Sequence, residues 1–170
     1  MTDRGNDSGT SGAAGLNRYG VRSVVRDLMF PVLSALILFA AAQTIDWFWG
    51  WLYCILYLAA FALMDATLVH RNPALLNERG KRKPGIRKWD MASLLLGAVT
   101  LLATALVAGL DKRYGWTISF PAAGRAAGVL LLIASFAIVA PAMVVNRFFD
   151  STVRIEPERG HHVIASGPYA

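Results

Sequence analysis

The sequence predicts an all-α, multi-pass membrane protein built on a bundle of four transmembrane helices. Three observations predict it. The chain is 55% apolar and only 16% charged, whereas a soluble domain is roughly 45–50% apolar and about 25% charged. Its charges are gathered into runs that leave four long apolar blocks. Its Lys and Arg residues, which give a net charge of +6, flank those blocks instead of decorating one soluble face. That distribution fits topology determinants beside anionic lipid and excludes a nucleic-acid partner.

Residues 1–26 form the first element, read as a disordered polar cytoplasmic tail. The stretch is rich in Gly and Ser, and it precedes the first apolar block by too great a distance for a compact signal peptide. Gly5, Gly9 and Gly12 have the spacing of a phosphate loop but lack the preceding strand and following helix, so a flexible linker is the reading. The membrane region covers 27–149. A helix needs about 20 apolar residues to cross a ~30 Å hydrocarbon core, and spans are expected at 28–45, 47–69, 91–110 and 126–145. Three carry no charge, and the second carries Asp65 alone. Pro31 and Pro141 lie inside spans, where neighbouring helices can cover the carbonyls they free. Gly124 and Gly128 make a small-xxx-small pair suited to helix contact. Cys54 has no partner for a disulfide or a cysteine metal site, and packing is its expected role. An ionisable group within a span faces a bundle interior or snorkels to an interface; both readings stay open for Asp65. His70 is placed at the interface.

Orientation follows from basic residues. Arg4, Arg18, Arg22 and Arg26 precede the first span, seven Lys and Arg occupy residues 71–88, and Arg147, Arg154 and Arg159 follow the fourth span. The opposite side holds only Lys112, Arg113 and Arg125. This bias predicts that both termini and the 71–88 connection are cytoplasmic, in the cell (inner) membrane. Trp47, Trp49 and Trp51 mark the other interface, beside a hairpin too tight to cross back.

After the fourth span the chain reads Asn146-Arg-Phe-Phe-Asp-Ser-Thr-Val-Arg-Ile-Glu-Pro-Glu-Arg-Gly-His-His-Val-Ile-Ala-Ser-Gly-Pro-Tyr-Ala170. An aromatic anchor, a short alternating stretch, a proline turn and a Gly-His-His-Val-Ile run are more packing residues than a solvated tail needs. The pattern Val-Arg-Ile, Arg-Gly-His-x-Val-Ile, Ser-Gly-Pro-Tyr is similar to the segment leading into the Arg-His-Pro-x-Tyr motif of the isoprenylcysteine carboxyl methyltransferase family and its bacterial relatives. Arg71-Asn-Pro-Ala-Leu-Leu-Asn-Glu-Arg79, followed by Lys88-Trp-Asp90, also resembles that family's loop between its second and third spans. The likeness runs from about residue 60 to the end, and its specific part is residues 146–170.

The resemblance implies an S-adenosyl-L-methionine-dependent methyltransferase with a cofactor pocket at the cytoplasmic ends of membrane helices, beginning at residues 150–170. By position, the cofactor-binding residues are Arg154, His161, His162, Val163, Ile164 and Tyr169. An Arg can hold the cofactor carboxylate, the His-His-Val-Ile run can meet adenosine, and Tyr169 can pack beside it. The implied partners are the lipid bilayer and a lipophilic methyl acceptor. The 170 residues end before the Arg-His-Pro-x-Tyr motif and the final helices, so the expectation is one wall of the pocket and weak or no cofactor binding by this stretch alone. Adjacent histidines are poorly spaced for a metal, and Glu156 and Glu158 read as a solvated turn beside Pro157. Two other classes stay open: a sterol-reductase-like or nitrite-reduction-associated protein that binds a nicotinamide, and a non-catalytic scaffold or small transporter.

Overall fold

A computed structural model describes residues 15–81, 87–146 and 149. It is all-helical over these residues, with α1 Arg18–Ala42, α2 Phe48–Arg71, α3 Pro73–Arg79, α4 Lys88–Tyr114 and α5 Ala122–Val145. The four long helices are each long and apolar enough to cross a membrane, and they cover the four expected spans except residues 43–45 and 47, which form the turn between α1 and α2. The chain is a multi-pass membrane helical bundle.

Two further differences from the expectation bear on the site. Helix α1 begins at Arg18, so residues 18–26, placed in the tail by hydropathy, are helical. The Asn17 side chain caps this start by accepting hydrogen bonds from the backbone N–H groups of Tyr19 (2.9 Å) and Gly20 (3.2 Å), which satisfies otherwise orphaned donors. The polar turns that follow can be helical without being apolar, and a hydropathy window does not see them. The second difference is α3, a short helix within the 71–88 connection. Asn72 caps it through Leu75 N–H, and Pro73 fills its first turn, where a missing N–H costs nothing.

The helices pack as a row in the order α4, α1, α2, α5, with α3 lying across one end against α1 and α2. Helices α4 and α5 are consecutive in sequence but do not pack on each other. One end of the row carries α3, the start of α1 and the end of α5; the other carries the α1–α2 hairpin and the α4–α5 connection.

Helix α1 is central because its buried seam suits close packing. Gly20, Ser23, Asp27, Pro31, Ser34, Leu38, Ala41 and Ala42 are buried, and they recur every three or four residues on one face. The seam is small and polar, while Val25, Met29, Val32 and Leu36 on other faces are exposed. This inverts the soluble pattern, as expected where lipid surrounds the helix and small groups bring backbones together.

The small-residue contact forms elsewhere than expected. Gly124 and Gly128 do not sit against a neighbouring helix: the atoms nearest to a methyl at Gly124 are those of Phe120, just before α5, and a methyl at Gly128 would meet nothing within 4 Å. The pair that closes a helix interface is Ala105 and Gly109 of α4. A methyl at Gly109 would collide with the Leu38 carbonyl oxygen and crowd Ala41, so α4 rests directly on the α1 backbone. Thr67, Ser93, Thr104 and Ser135, all exposed, each donate to the carbonyl four residues back in their own helix. Their hydroxyls are therefore satisfied within the helix and need no partner across it.

Candidate functional site

Ser23, Asp27, Asp65 and Asn77, all buried in the bundle, lie towards the α3 end. Two asparagines assemble it. Asn72 donates from its Nδ2 to the carbonyls of Met143 (3.3 Å) and Val144 (3.5 Å), tying the α2–α3 junction to the end of α5. Asn77 accepts at Oδ1 from Asn17 N–H (3.0 Å) and donates from Nδ2 to the Gly15 carbonyl (3.2 Å), which docks the start of α1 onto α3. Beneath these ties Met64, Leu68, Leu75, Leu76 and Met143 form an apolar cluster, and Phe149 packs against it as the chain leaves α5.

The charged centre lies within this frame. Asp27 of α1 pairs with Arg79 of α3 at 3.2 Å and with Arg26 at 3.3 Å. The Asp27 side chain is 8% exposed and that of Arg79 17%, so their pair is largely withdrawn from solvent. Ser23, fully buried, accepts from Arg26 at 3.3 Å, and Arg26 also donates to the Arg79 carbonyl.

Asp65 of α2 is 2% exposed, and neither of its carboxylate oxygens has a hydrogen-bond partner among the described residues. It lies within electrostatic reach of Asp27, Arg79 and Arg26. Asp65 lies six positions before Arg71 at the end of α2, a depth of about 9 Å at ~1.5 Å per residue. A buried, unpaired carboxylate is costly, and its native occupancy calls for a proton or a cationic group.

Of the two readings left open for Asp65, the structure selects the one turned to the bundle interior. His70 is exposed at the end of α2. Arg154, His161, His162, Val163, Ile164 and Tyr169 lie outside the described residues, as does the whole of 150–170. The structure adds Asp27 and Arg79, which the sequence reading did not single out. Asp27 sits one residue before the expected first span, and Arg79 enters the sequence reading as one of the basic residues of the 71–88 connection and as the end of the loop that resembles the family's, with no site role. The signal that could have found Asp27 is the recurrence of Gly20, Ser23, Asp27 and Ser34 on one helical face.

A second feature lies along the seam between α2 and α5. The two helices meet through Tyr57, Phe61 and Phe136, with ring centroids 5.2–6.3 Å apart, and part towards the hairpin end. The gap there is a cleft of about 610 Å³, walled by α2, α5 and the α4–α5 connection. A smaller cleft of about 280 Å³ continues along the same seam towards the α3 end, and Leu56 lines both. Neither is lined by Asp65, Asp27 or Arg79.

No protein-family model matches this chain, and neither a curated protein nor a solved structure matches it.

Proposed function

We propose that the chain belongs to an S-adenosyl-L-methionine-dependent membrane methyltransferase that acts on a lipophilic acceptor at the cytoplasmic face. The reading joins the resemblance of residues 146–170 to one structural observation. Phe149 is seated on the Leu68, Leu75, Leu76 and Met143 cluster, so residues 150–170 set out from the α3 end, where the ends of α1, α2, α3 and α5 are drawn together. A polar donor arriving from the cytoplasm and an acceptor arriving through lipid would meet at such an interface. Methyl transfer from a sulfonium is a direct displacement, so the protein mainly has to align nucleophile, methyl and sulfur and exclude water. In this reading Arg154 holds the cofactor carboxylate, His161, His162, Val163 and Ile164 meet the adenosine, and Tyr169 packs beside it.

The same proposal orients the bundle with the α3 end in the cytoplasm, on the strength of the basic residues. Reporter fusions at residues 85 and 115 are then expected in opposite compartments, with 85 cytoplasmic. A periplasmic signal at 85 reverses the orientation.

The cofactor is tested by calorimetric titration of the protein expressed from its complete reading frame. S-adenosylhomocysteine is expected to bind, and Arg154→Ala to weaken it. Binding of a reduced nicotinamide instead would move the chain to the reductase-like class. A second reading, a small transporter, draws on the buried Asp65 and the polar seam of α1. It predicts no binding of either cofactor, and substrate movement across proteoliposomes that Asp65→Asn abolishes.

A further inference from the structure

We infer that the seam between α2 and α5 is a binding site for a phospholipid with an anionic headgroup, held with its headgroup at the hairpin end and its chain lying along the helices. This inference is independent of the methyl-transfer reading.

The walls come first. The larger cleft is lined on α2 by Trp49, Leu52 and Leu56 and on α5 by Gly128, Val129 and Leu132. The smaller one continues the same two faces through Ala60, Leu63, Ile133 and Ala140. On each helix the lining residues recur every three or four positions, so they form one stripe and not two unrelated hollows. From Trp49 to Thr67 the stripe runs roughly 27 Å at ~1.5 Å per residue. That exceeds the depth of one leaflet, about 15 Å of a ~30 Å core, and leaves room for an extended chain. The channel is open beside Gly128, where an added methyl would meet no atom within 4 Å.

The mouth has a different character. Among the described residues the basic ones at the hairpin end are Lys112, Arg113 and Arg125, and two of them, Lys112 and Arg125, line this cleft. The Arg125 guanidinium lies 5.0 Å from the centre of the Trp49 ring, which holds it at headgroup depth with its remaining donors available. One acid, Asp111, also lines the mouth; its Oδ1 accepts the Thr117 backbone N–H at 2.8 Å, and beside Lys112 and Arg125 its charge still leaves the mouth net positive. A net positive mouth above an apolar channel matches an anionic headgroup above a hydrocarbon chain, whereas a zwitterionic headgroup brings a cation of its own beside Lys112 and Arg125.

Native mass spectrometry of delipidated protein tests the assignment, using phosphatidylglycerol and phosphatidylcholine with identical chains. The wild type is expected to retain phosphatidylglycerol about tenfold or more in preference. Glycerol phosphate, the headgroup without chains, is expected not to compete. Gly128→Trp fills the channel and should lose both lipids. Gly97→Trp, placed at an equally open position of α4 outside the seam, should retain them. The Lys112→Gln, Arg125→Gln double variant should keep the chain but lose the preference, and it decides the matter if Gly128→Trp does not fold. Equal retention of the two lipids by the wild type, undiminished retention by Gly128→Trp, equal loss in Gly97→Trp, or competition by glycerol phosphate would each overturn the inference.

Discussion

The two ends of this bundle are held by different physics. At the α3 end, side-chain hydrogen bonds from Asn72 and Asn77 and the Asp27–Arg79 pair lash four helix termini together. At the hairpin end, α1 and α4 touch backbone to side chain at Gly109, while α2 and α5 part around a cleft. Polar ties are inexpensive at an end where the alternative partner is water, and the fold uses them to hold a buried carboxylate in place. Towards the other end contact rests on small residues and aromatic rings, and a seam left unfilled faces lipid instead of a packing neighbour. A helix row can thus be tied by polar side chains at one end and packed through small residues and rings, with a cleft between two of its helices, at the other.

The contrast can be broken most forcefully at Arg79. Arg79→Ala leaves Asp27 and Asp65 together with only the exposed Arg26 beside them, and should cost about 3–5 kcal/mol, read as a large drop in thermal stability in detergent. A loss below about 1 kcal/mol would show that the α3 end is not held by charge. Next in size is Gly80→Ala. A methyl there would collide with the Tyr19 carbonyl oxygen, backbone against helix end, so a loss of about 1–3 kcal/mol is expected. Gly97→Ala, in open space, should be close to neutral or slightly stabilising by the same assay.

Asp65→Asn has the opposite sign. Removing an unpaired buried charge should raise stability by about 1–3 kcal/mol while abolishing whatever Asp65 binds. A destabilised variant would mean that Asp65 already has a partner in the native protein. The smallest effect belongs to the hairpin end. Trp51 donates from Nε1 to the Ile45 carbonyl at 2.9 Å, and Trp51→Phe should cost no more than about 1 kcal/mol. A greater loss there than in Arg79→Ala would reverse the comparison.

Length and hydropathy determined the number of membrane helices, because ~20 apolar residues have few other stable destinations than a bilayer. All four spans were legible on that ground, as was Asp65 as an isolated acid among apolar residues. The sequence could not say which helices would touch. Gly124 and Gly128 carry the same small-residue spacing as Ala105 and Gly109, yet only the second pair meets a neighbour. In lipid every helix face is apolar, and hydrophobicity no longer marks the buried one. Asp27 was hidden for a related reason: it lies in turns whose polarity masked their helicity, and its burial comes from α3 folding back as much as from α1 itself. The candidate site was therefore half visible. The sequence supplied the unpaired carboxylate and the resemblance of residues 146–170. Only the tertiary structure formed the Asp27–Arg79 pair within electrostatic reach of Asp65, because that pair joins residues far apart in the chain through a short helix that periodicity alone does not announce.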